Sequence, residues 1–346
     1  MDVMDLAEDN VRVLFIWDAR AELRDFLQAG LADLENVELV FPDETDDETL
    51  VKLAPDADIM IGWRPSRDLL SAAKKMTLFV NPGAGVQHHI EVFREINQEQ
   101  SVVLVNGHGN SYFTAQHAVA LLLTLTNKIV SHHEWMRNGK WRTGDSDASS
   151  IPLRYRKVGL LGYGAVNRQV HRFLQGFDLD FHVLKRSWET QPRTQPTNYR
   201  KYEPAQIHEF LKDIDTLIVA VPQTPETIGL IGREELELLG EDGLIVNMAR
   251  GVVVDEQGLF NVLKEKAIAG AAIDVWYEYR PEPDAEGRKF PYNYPFHELD
   301  NVILSPHRGA SPFRDLERWN EVTENIRRFA VGRTDFLNVV DLDRGY

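Results

Sequence analysis

The chain has 346 residues, with 54 acidic against 38 basic side chains (net charge −16) and no cysteine. That length suggests about two domains of roughly 150 residues each, and the 43% apolar content is ample for large cores. The charge argues against nucleic acid or an anionic membrane as a general partner, and the missing cysteines exclude disulfides and thiol chemistry.

Met1 to Asn10 is acidic, without a basic segment leading an apolar one, so no signal peptide is expected. Val11 to Trp17 reads as a buried strand, followed by an amphipathic helix over Ala19 to Leu31. Val37 to Val40 is a second strand, Asp43 to Glu48 leads a short helix, and Ile59 to Gly62, Leu78 to Asn81 and Val102 to Asn106 are three more strands. Alternating strands and helices predict a parallel sheet with helices on both faces. Ser111 to Gly139 follows as one long helical stretch whose His117 to Thr126 portion is apolar nearly all round, fitting burial on several sides or a subunit interface. Thr143 to Ser150 is small, polar and loop-like, and the apolar run Ala118 to Leu125 is far too short for a membrane span of about 20 residues.

The alternation then restarts. Val158 to Leu161 is a short buried strand, Gly162 and Gly164 break it, and Ala165 to Leu174 is helical, with Val166, Val170, Phe173 and Leu174 on one side. A strand feeding a glycine turn at a helix start is an anion site: Gly162 permits the turn, Gly164 admits a pyrophosphate to the backbone, and the first N–H groups of the helix receive its oxygens. The third glycine of G-x-G-x-x-G is Asn167 here, at the position that governs how closely helix and strand pack. Further strands are Asp180 to Leu184, Thr216 to Val221, Leu244 to Met248, Gly270 to Val275 and Val302 to Ser305. Helices fall at Ile207 to Leu211 and Glu256 to Lys266, with a Pro/Thr-rich connection at Gln191 to Thr197 and a loop at Arg280 to Tyr294. The amphipathic segment Phe313 to Val331 is expected to return to the first domain.

Three later segments sit at strand ends, where open α/β sheets bind ligands: Val246 to Glu256, Gly270 to Trp276 and Asn301 to Ser311. With the glycine turn, and with Asn81-Pro-Gly-Ala-Gly85, Thr114-Ala-Gln-His117, Gly139-Lys-Trp141 and Val221 to Thr227, they make nearly the whole chain resemble the D-isomer-specific 2-hydroxyacid dehydrogenases. That group contains phosphoglycerate dehydrogenase and the glyoxylate/hydroxypyruvate reductases. The resemblance implies an α/β protein of two Rossmann-like/flavodoxin-like parallel-sheet domains with a cleft between them. Residues 1–107 plus 308–346 would be the substrate domain and 108–307 the dinucleotide-binding domain. It further implies a hinge, a homodimer formed through the long helix, and an enzyme reducing a small 2-oxo acid such as glyoxylate or hydroxypyruvate, while the lack of a signal peptide and of a membrane span leads to the expectation of a soluble, cytoplasmic protein.

The resemblance also assigns roles. Negative charge develops on the carbonyl oxygen as hydride arrives, so a cation and a proton donor must meet it. Arg250 would grip the carboxylate and carbonyl oxygen, and His307 would hand over the proton. The family places a glutamate five residues after the aspartate, which from Asp274 gives Tyr279; Glu278 is one residue early. Two readings stay open: Glu278 slips into place beside His307, or the histidine has no carboxylate, as in the formate dehydrogenase branch. In the second case reductase activity should fade at a lower pH than is usual for the family. Around the cofactor the resemblance places Gly162, Tyr163, Gly164, Ala165, Val166, Val221, Pro222, Ala249 and Asp274. At the end of the second strand Lys185, Arg186 and Ser187 replace the usual acid and suit a 2′-phosphate, favouring NADP(H) over NAD(H). The backbone of Ala84 and Gly85 would bind the substrate carboxylate, and Arg64 would read a second anionic group or stand at the surface beside Trp63. His88 and His89 lack a third ligand at metal spacing and read as structural or pocket-lining, so no metal is assigned; Gln116 replaces a common glutamate. A rival reading is a non-catalytic nucleotide-sensing protein of the same fold; formate-type oxidation is a third.

Overall fold

The structure is a computed structural model describing residues 10–142, 148–188, 198–310 and 315–346. It divides into two compact units, Met1–Asn110 with Pro312–Tyr346, and Ser111–Ser311. Most of Met1 to Asn10, residues 143–147 of the Thr143 to Ser150 loop, the whole Gln191 to Thr197 connection, Ser311 and the first two residues of the Phe313 segment lie outside the described residues.

In the first unit, strands β1 (Val11–Phe15), β2 (Val37–Val40), β3 (Ile59–Ile61), β4 (Leu78–Asn81) and β5 (Val103–Asn106) form a parallel sheet in the order β2-β1-β3-β4-β5. This is the flavodoxin-like order. Successive residues of each strand go to opposite faces, which is why the strands read as continuous apolar runs. Val13, Phe15, Ile59, Leu78 and Val105 join one core, while Leu14, Met60, Phe79 and Leu104 join the other. The first core is covered by helices Ala21–Gly30 and Asn320–Ala330, the latter contributing Val322, Ile326 and Phe329. That last helix is shorter than the Phe313 to Val331 pattern and is entered through a 3-10 turn, Glu317–Trp319. The short acidic-led helix is Asp47–Leu53, capped by Asp46, whose carboxylate accepts from Thr49 N at 3.0 Å. Residues 338–340 run antiparallel along β5, with Val340 N donating to Leu104 O at 2.9 Å.

In the second unit, seven parallel strands run in the order β12-β11-β10-β9-β6-β7-β8. They are β6 (Lys157–Leu161), β7 (Asp180–Leu184), β8 (Arg200–Tyr202), β9 (Thr216–Val219), β10 (Leu244–Asn247), β11 (Gly270–Ile273) and β12 (Val302–Leu304). The order reverses between β6 and β9, where doubly wound sheets bind ligands. Helices Ser111–Thr126 and Ala165–Leu174 cover one face, and helices Ile207–Lys212, Arg233–Glu237 and Glu256–Lys264 cover the other.

Two expectations are corrected. The single helix over Ser111 to Gly139 is two helices, Ser111–Thr126 and Ile129–Arg137, because Lys128 takes a left-handed backbone (φ 50) and stops the first. β8 extends the sheet where no strand was expected, since its Arg200-Lys201-Tyr202 has one buried residue and lacks an apolar run. The Ile129–Arg137 helix has no buried residue and leaves Ile129, Val130 and Met136 exposed. No helix among the described residues is long and apolar enough to cross a membrane.

Candidate active site

The glycine turn lies at the strand-order reversal. Gly162 has φ +80, and a Cβ there would stand 2.7 Å from Ala220 O and 2.8 Å from Val221 Cγ1, so only glycine fits. The turn is thereby pressed against Val221, which follows β9, with the exposed Pro222 next to it. A Cβ on Gly164 would meet nothing within 4 Å, leaving open space before the helix of Ala165 and Val166. Tyr163 does not face that space: its ring is buried and its hydroxyl pairs with His171 Nδ1 at 2.6 Å. Burial pushes His171 down to about 4. Asn167 is fully buried, and its Nδ2 donates to Leu161 O (3.1 Å), Gly162 O (2.6 Å) and Ile218 O (3.3 Å). The departure from a third glycine therefore braces the turn with an amide.

Beyond β7, Lys185, Arg186 and Ser187 lie at the strand end, with Arg186 and Ser187 exposed. Lys185 Nζ stands 4.5 Å from the centre of the Trp188 ring, and Lys201 Nζ stands 5.0 Å from it. Burial, Lys201 and Arg168 together hold the Lys185 ammonium below its ordinary value. Cations converging in this way fit an anion between them. Sequence reasoning named Lys185 but missed Arg168 and Lys201, one on the helix and one on the unexpected strand.

The ends of three neighbouring strands carry Arg250, Asp274 and His307. Arg250 follows β10, Asp274 follows β11 and His307 follows β12. Buried Asn247 holds the turn after β10: its Oδ1 accepts from Ala249 N at 3.1 Å and its Nδ2 donates to Arg250 O at 3.3 Å. Ala249 is itself buried, and its carbonyl accepts from Arg250 Nη1 at 2.7 Å. Asp274 is 2% exposed, with both oxygens engaged. It accepts from Ser305 Oγ (2.5 Å), Arg308 N (2.7 Å) and Gly309 N (2.9 Å), and His117 Nε2 lies 3.4 Å away. Burial opposes ionisation of Asp274, but His117, Ser305 and the two backbone donors outweigh it and keep the carboxyl below its usual range. The aspartate is thus the anchor of the His307 loop.

His307 has φ 55. Burial pushes its imidazole below the ordinary histidine value, Asp274 pulls the other way, and Arg250 adds to the depression. Glu278 is not brought to it: that carboxylate is exposed and accepts from Arg280 N at 2.6 Å. The local slip does not occur because Tyr277 N and Glu278 N are both tied to Pro291 O, at 3.2 and 3.0 Å. Tyr279 meets the imidazole instead, ring centroids 5.4 Å apart at 64°.

In the first unit, the segment Pro82 to Gly85 is held by two buried asparagines paired in register at the ends of β4 and β5. Asn81 Nδ2 donates to Gly83 O and, at 3.4 Å, to Gly85 O, while Asn106 Nδ2 donates to Ala84 O at 2.8 Å. The carbonyls of Gly83, Ala84 and Gly85 are thereby taken. Buried His89 rests on Asn81 Oδ1 at 3.3 Å, and burial with the neighbouring His88 pushes it down to about 3. His88 Nε2 pairs with Trp63 O at 2.7 Å, and Arg64 is exposed beside that tryptophan. Among the described residues no group of three His, Cys, Asp or Glu could hold a metal ion.

Comparison with known proteins gives the family. Residues 119–309, more than half of the chain, match the family described as D-isomer specific 2-hydroxyacid dehydrogenase, NAD binding domain. A glyoxylate reductase of Pyrococcus furiosus is 32% identical over 82% of this chain and 83% of its own length. Two solved structures share the fold. A D-isomer specific 2-hydroxyacid dehydrogenase from Xanthobacter autotrophicus Py2, in complex with NADPH and MES, superposes with a TM-score of 0.75 at 24% identity, covering 98% of this chain and 100% of that one. An NADPH-dependent glyoxylate/hydroxypyruvate reductase from Sinorhizobium meliloti, in complex with NADP and malonate, gives 0.72 at 24% identity, covering 97% and 98%. The chain belongs to the D-isomer specific 2-hydroxyacid dehydrogenases. It is an oxidoreductase that works with a nicotinamide cofactor.

Proposed function

We propose that this enzyme reduces a small 2-oxo acid, of the glyoxylate or hydroxypyruvate kind, with NADP(H) in preference to NAD(H). The observation that carries the reading is the convergence of Arg250, Asp274 and His307 from the ends of three adjacent strands. The P. furiosus relative named glyoxylate reductase supports the substrate class.

The residues fit a dinucleotide: the Gly162 position excludes any side chain, the Gly164 side is open, and the cations near Trp188 suit a 2′-phosphate. Gly162 to Val166 would hold the pyrophosphate, Val221, Pro222 and Ala249 would flank the cofactor, and Lys185, Arg186 and Ser187 would take the 2′-phosphate. When bound, the dihydronicotinamide supplies hydride. Arg250 holds the substrate carboxylate and carbonyl oxygen, and its fixed charge meets the charge developing there. His307 donates the proton from its imidazolium. The N–H groups of Ala84 and Gly85 receive the carboxylate, and Arg64 reads a further anionic group. Because the imidazole is depressed, its protonated form is populated at lower pH than for an ordinary histidine, so reduction fades early as pH rises. We read the enzyme as cytoplasmic, and as a homodimer whose contact includes the exposed Ile129, Val130 and Met136.

Steady-state NADPH oxidation with a panel of 2-oxo acids tests the reading, with Arg250→Gln and His307→Asn each expected to lower kcat/KM by at least about 100-fold. Retention of activity in both variants would refute it. Arg186→Asp should reverse the NADPH-over-NADH preference; unchanged relative affinities would remove the cofactor assignment.

A further inference from the structure

The contact between Tyr279 and His307 is built from both sides. Tyr277 N and Glu278 N are tied to Pro291 O, Glu278 Oε1 takes Arg280 N, and the Trp276 indole donates to Ser305 O at 2.8 Å. The segment carrying Tyr279 is therefore pinned to the loop carrying His307. Tyr279 is 54% exposed, so it is held at this place by its own segment, including a hydrogen bond to the Trp276 backbone, and not by burial in a core. His307 has a left-handed backbone, and its loop is anchored through main-chain N–H groups of Arg308 and Gly309 on Asp274, which leave the orientation of the imidazole unspecified. The edge-on ring supplies the lateral contact.

We propose that Tyr279 is a positioning residue for His307, whose ring fixes the orientation of the imidazole and keeps that side of it closed to any carboxylate. This rests on the reading of His307 as proton donor. The charged groups that act on the imidazole are then Arg250 from the end of β10 and Asp274 from the end of β11. Asp274 has both oxygens committed to Ser305 and the loop backbone, with His117 of the Ser111–Thr126 helix beside it. The Tyr279 ring lies within electrostatic reach of the same two residues.

The experiment is an NMR titration of the His307 ring protons in the cofactor-free 346-residue chain, assigned with His307→Asn and paired with pH profiles of 2-oxo acid reduction. Tyr279→Phe should keep kcat within about twofold and leave the titration midpoint in place, because the ring is retained. Tyr279→Leu should lower kcat by about tenfold or more while KM moves by less than about threefold, the pattern of a misplaced donor. Tyr279→Glu should move the His307 midpoint, and the basic limb of the rate profile, upward by about one unit. A Tyr279→Leu enzyme with unchanged kcat and unchanged ring-proton shifts would overturn the proposal, as would a Tyr279→Phe enzyme as impaired as the leucine variant. If His307→Asn keeps full activity, the proton-donor reading fails by itself; the ring-proton shifts, which need no turnover, still decide the contact.

Discussion

Each unit ends a buried strand in a glycine-bearing loop that offers N–H groups, and the two loops are held by different means. In the seven-stranded sheet the turn after β6 rests on a left-handed glycine, Gly162, and leads directly into a ten-residue helix. In the five-stranded sheet the Pro82 to Gly85 loop has no helix behind it until Ile90, and strand-end asparagines turn its carbonyls inward. A helix terminus supplies both donors and a favourable dipole, whereas in the second loop asparagine amides occupy the carbonyls of Gly83, Ala84 and Gly85. Under each loop lies a buried neutral histidine, His171 paired with Tyr163 in one and His89 with Asn81 in the other. Asparagine appears in both solutions, as Asn167 and as the Asn81–Asn106 pair.

The largest effect should come from Gly162→Ala. It meets both a left-handed backbone and the Ala220 carbonyl, a combination worth roughly 3–5 kcal/mol, and should abolish cofactor binding. Chemical denaturation and NADPH fluorescence titration would check it; near-normal binding would show that the turn has another conformation. Acid, which acts on two histidines at once, should act on a similar scale. Unfolded histidine protonates near 6.5, whereas His89 and His171 in the folded chain hold out to about 3 and about 4. The unfolded state therefore binds more protons over that window, and stability is lost as pH falls from about 6.5, by roughly 3 kcal/mol for each histidine at pH 4. Urea denaturation at pH 7 and pH 4 would measure the loss, and His171→Phe should remove about half of it. An unaltered acid slope in that variant would place the sensitivity elsewhere.

Asn81→Ala should cost about 2–3 kcal/mol by freeing two loop carbonyls and the His89 imidazole. It should raise KM for the 2-oxo acid while leaving NADPH affinity unchanged. The smallest effect is expected for Asn167→Gly, which restores the customary glycine but removes the amide brace, at about 1–2 kcal/mol. A more stable glycine variant would show that the brace adds nothing.

Much of this was legible because strand, glycine turn and helix each leave a local pattern, as at Val158 to Leu174 and at Asn81 to Gly85. The elements that escaped depend on single residues whose behaviour is set by distant partners. Lysine carries no stop signal, so the break at Lys128 was hidden inside a continuous helical pattern. Arg200 to Tyr202 pairs with β7 through its backbone alone, without the apolar run that marks a strand. Tyr279 stands five residues after Asp274, as counting places it, but only the fold shows that its ring rather than the Glu278 carboxylate reaches the imidazole. The Ser305–Asp274–His117 cluster joins three segments whose proximity no spacing announces.

The strip 338–340 along β5 also closes an otherwise bare sheet margin, and Asn338 O receives Asn106 N at 3.1 Å. Asn106 in turn holds the Ala84 carbonyl, so the strip stands two bonded contacts from the Pro82 to Gly85 loop. A substitution that loosens the strip would therefore be felt at the sheet margin and at the loop together.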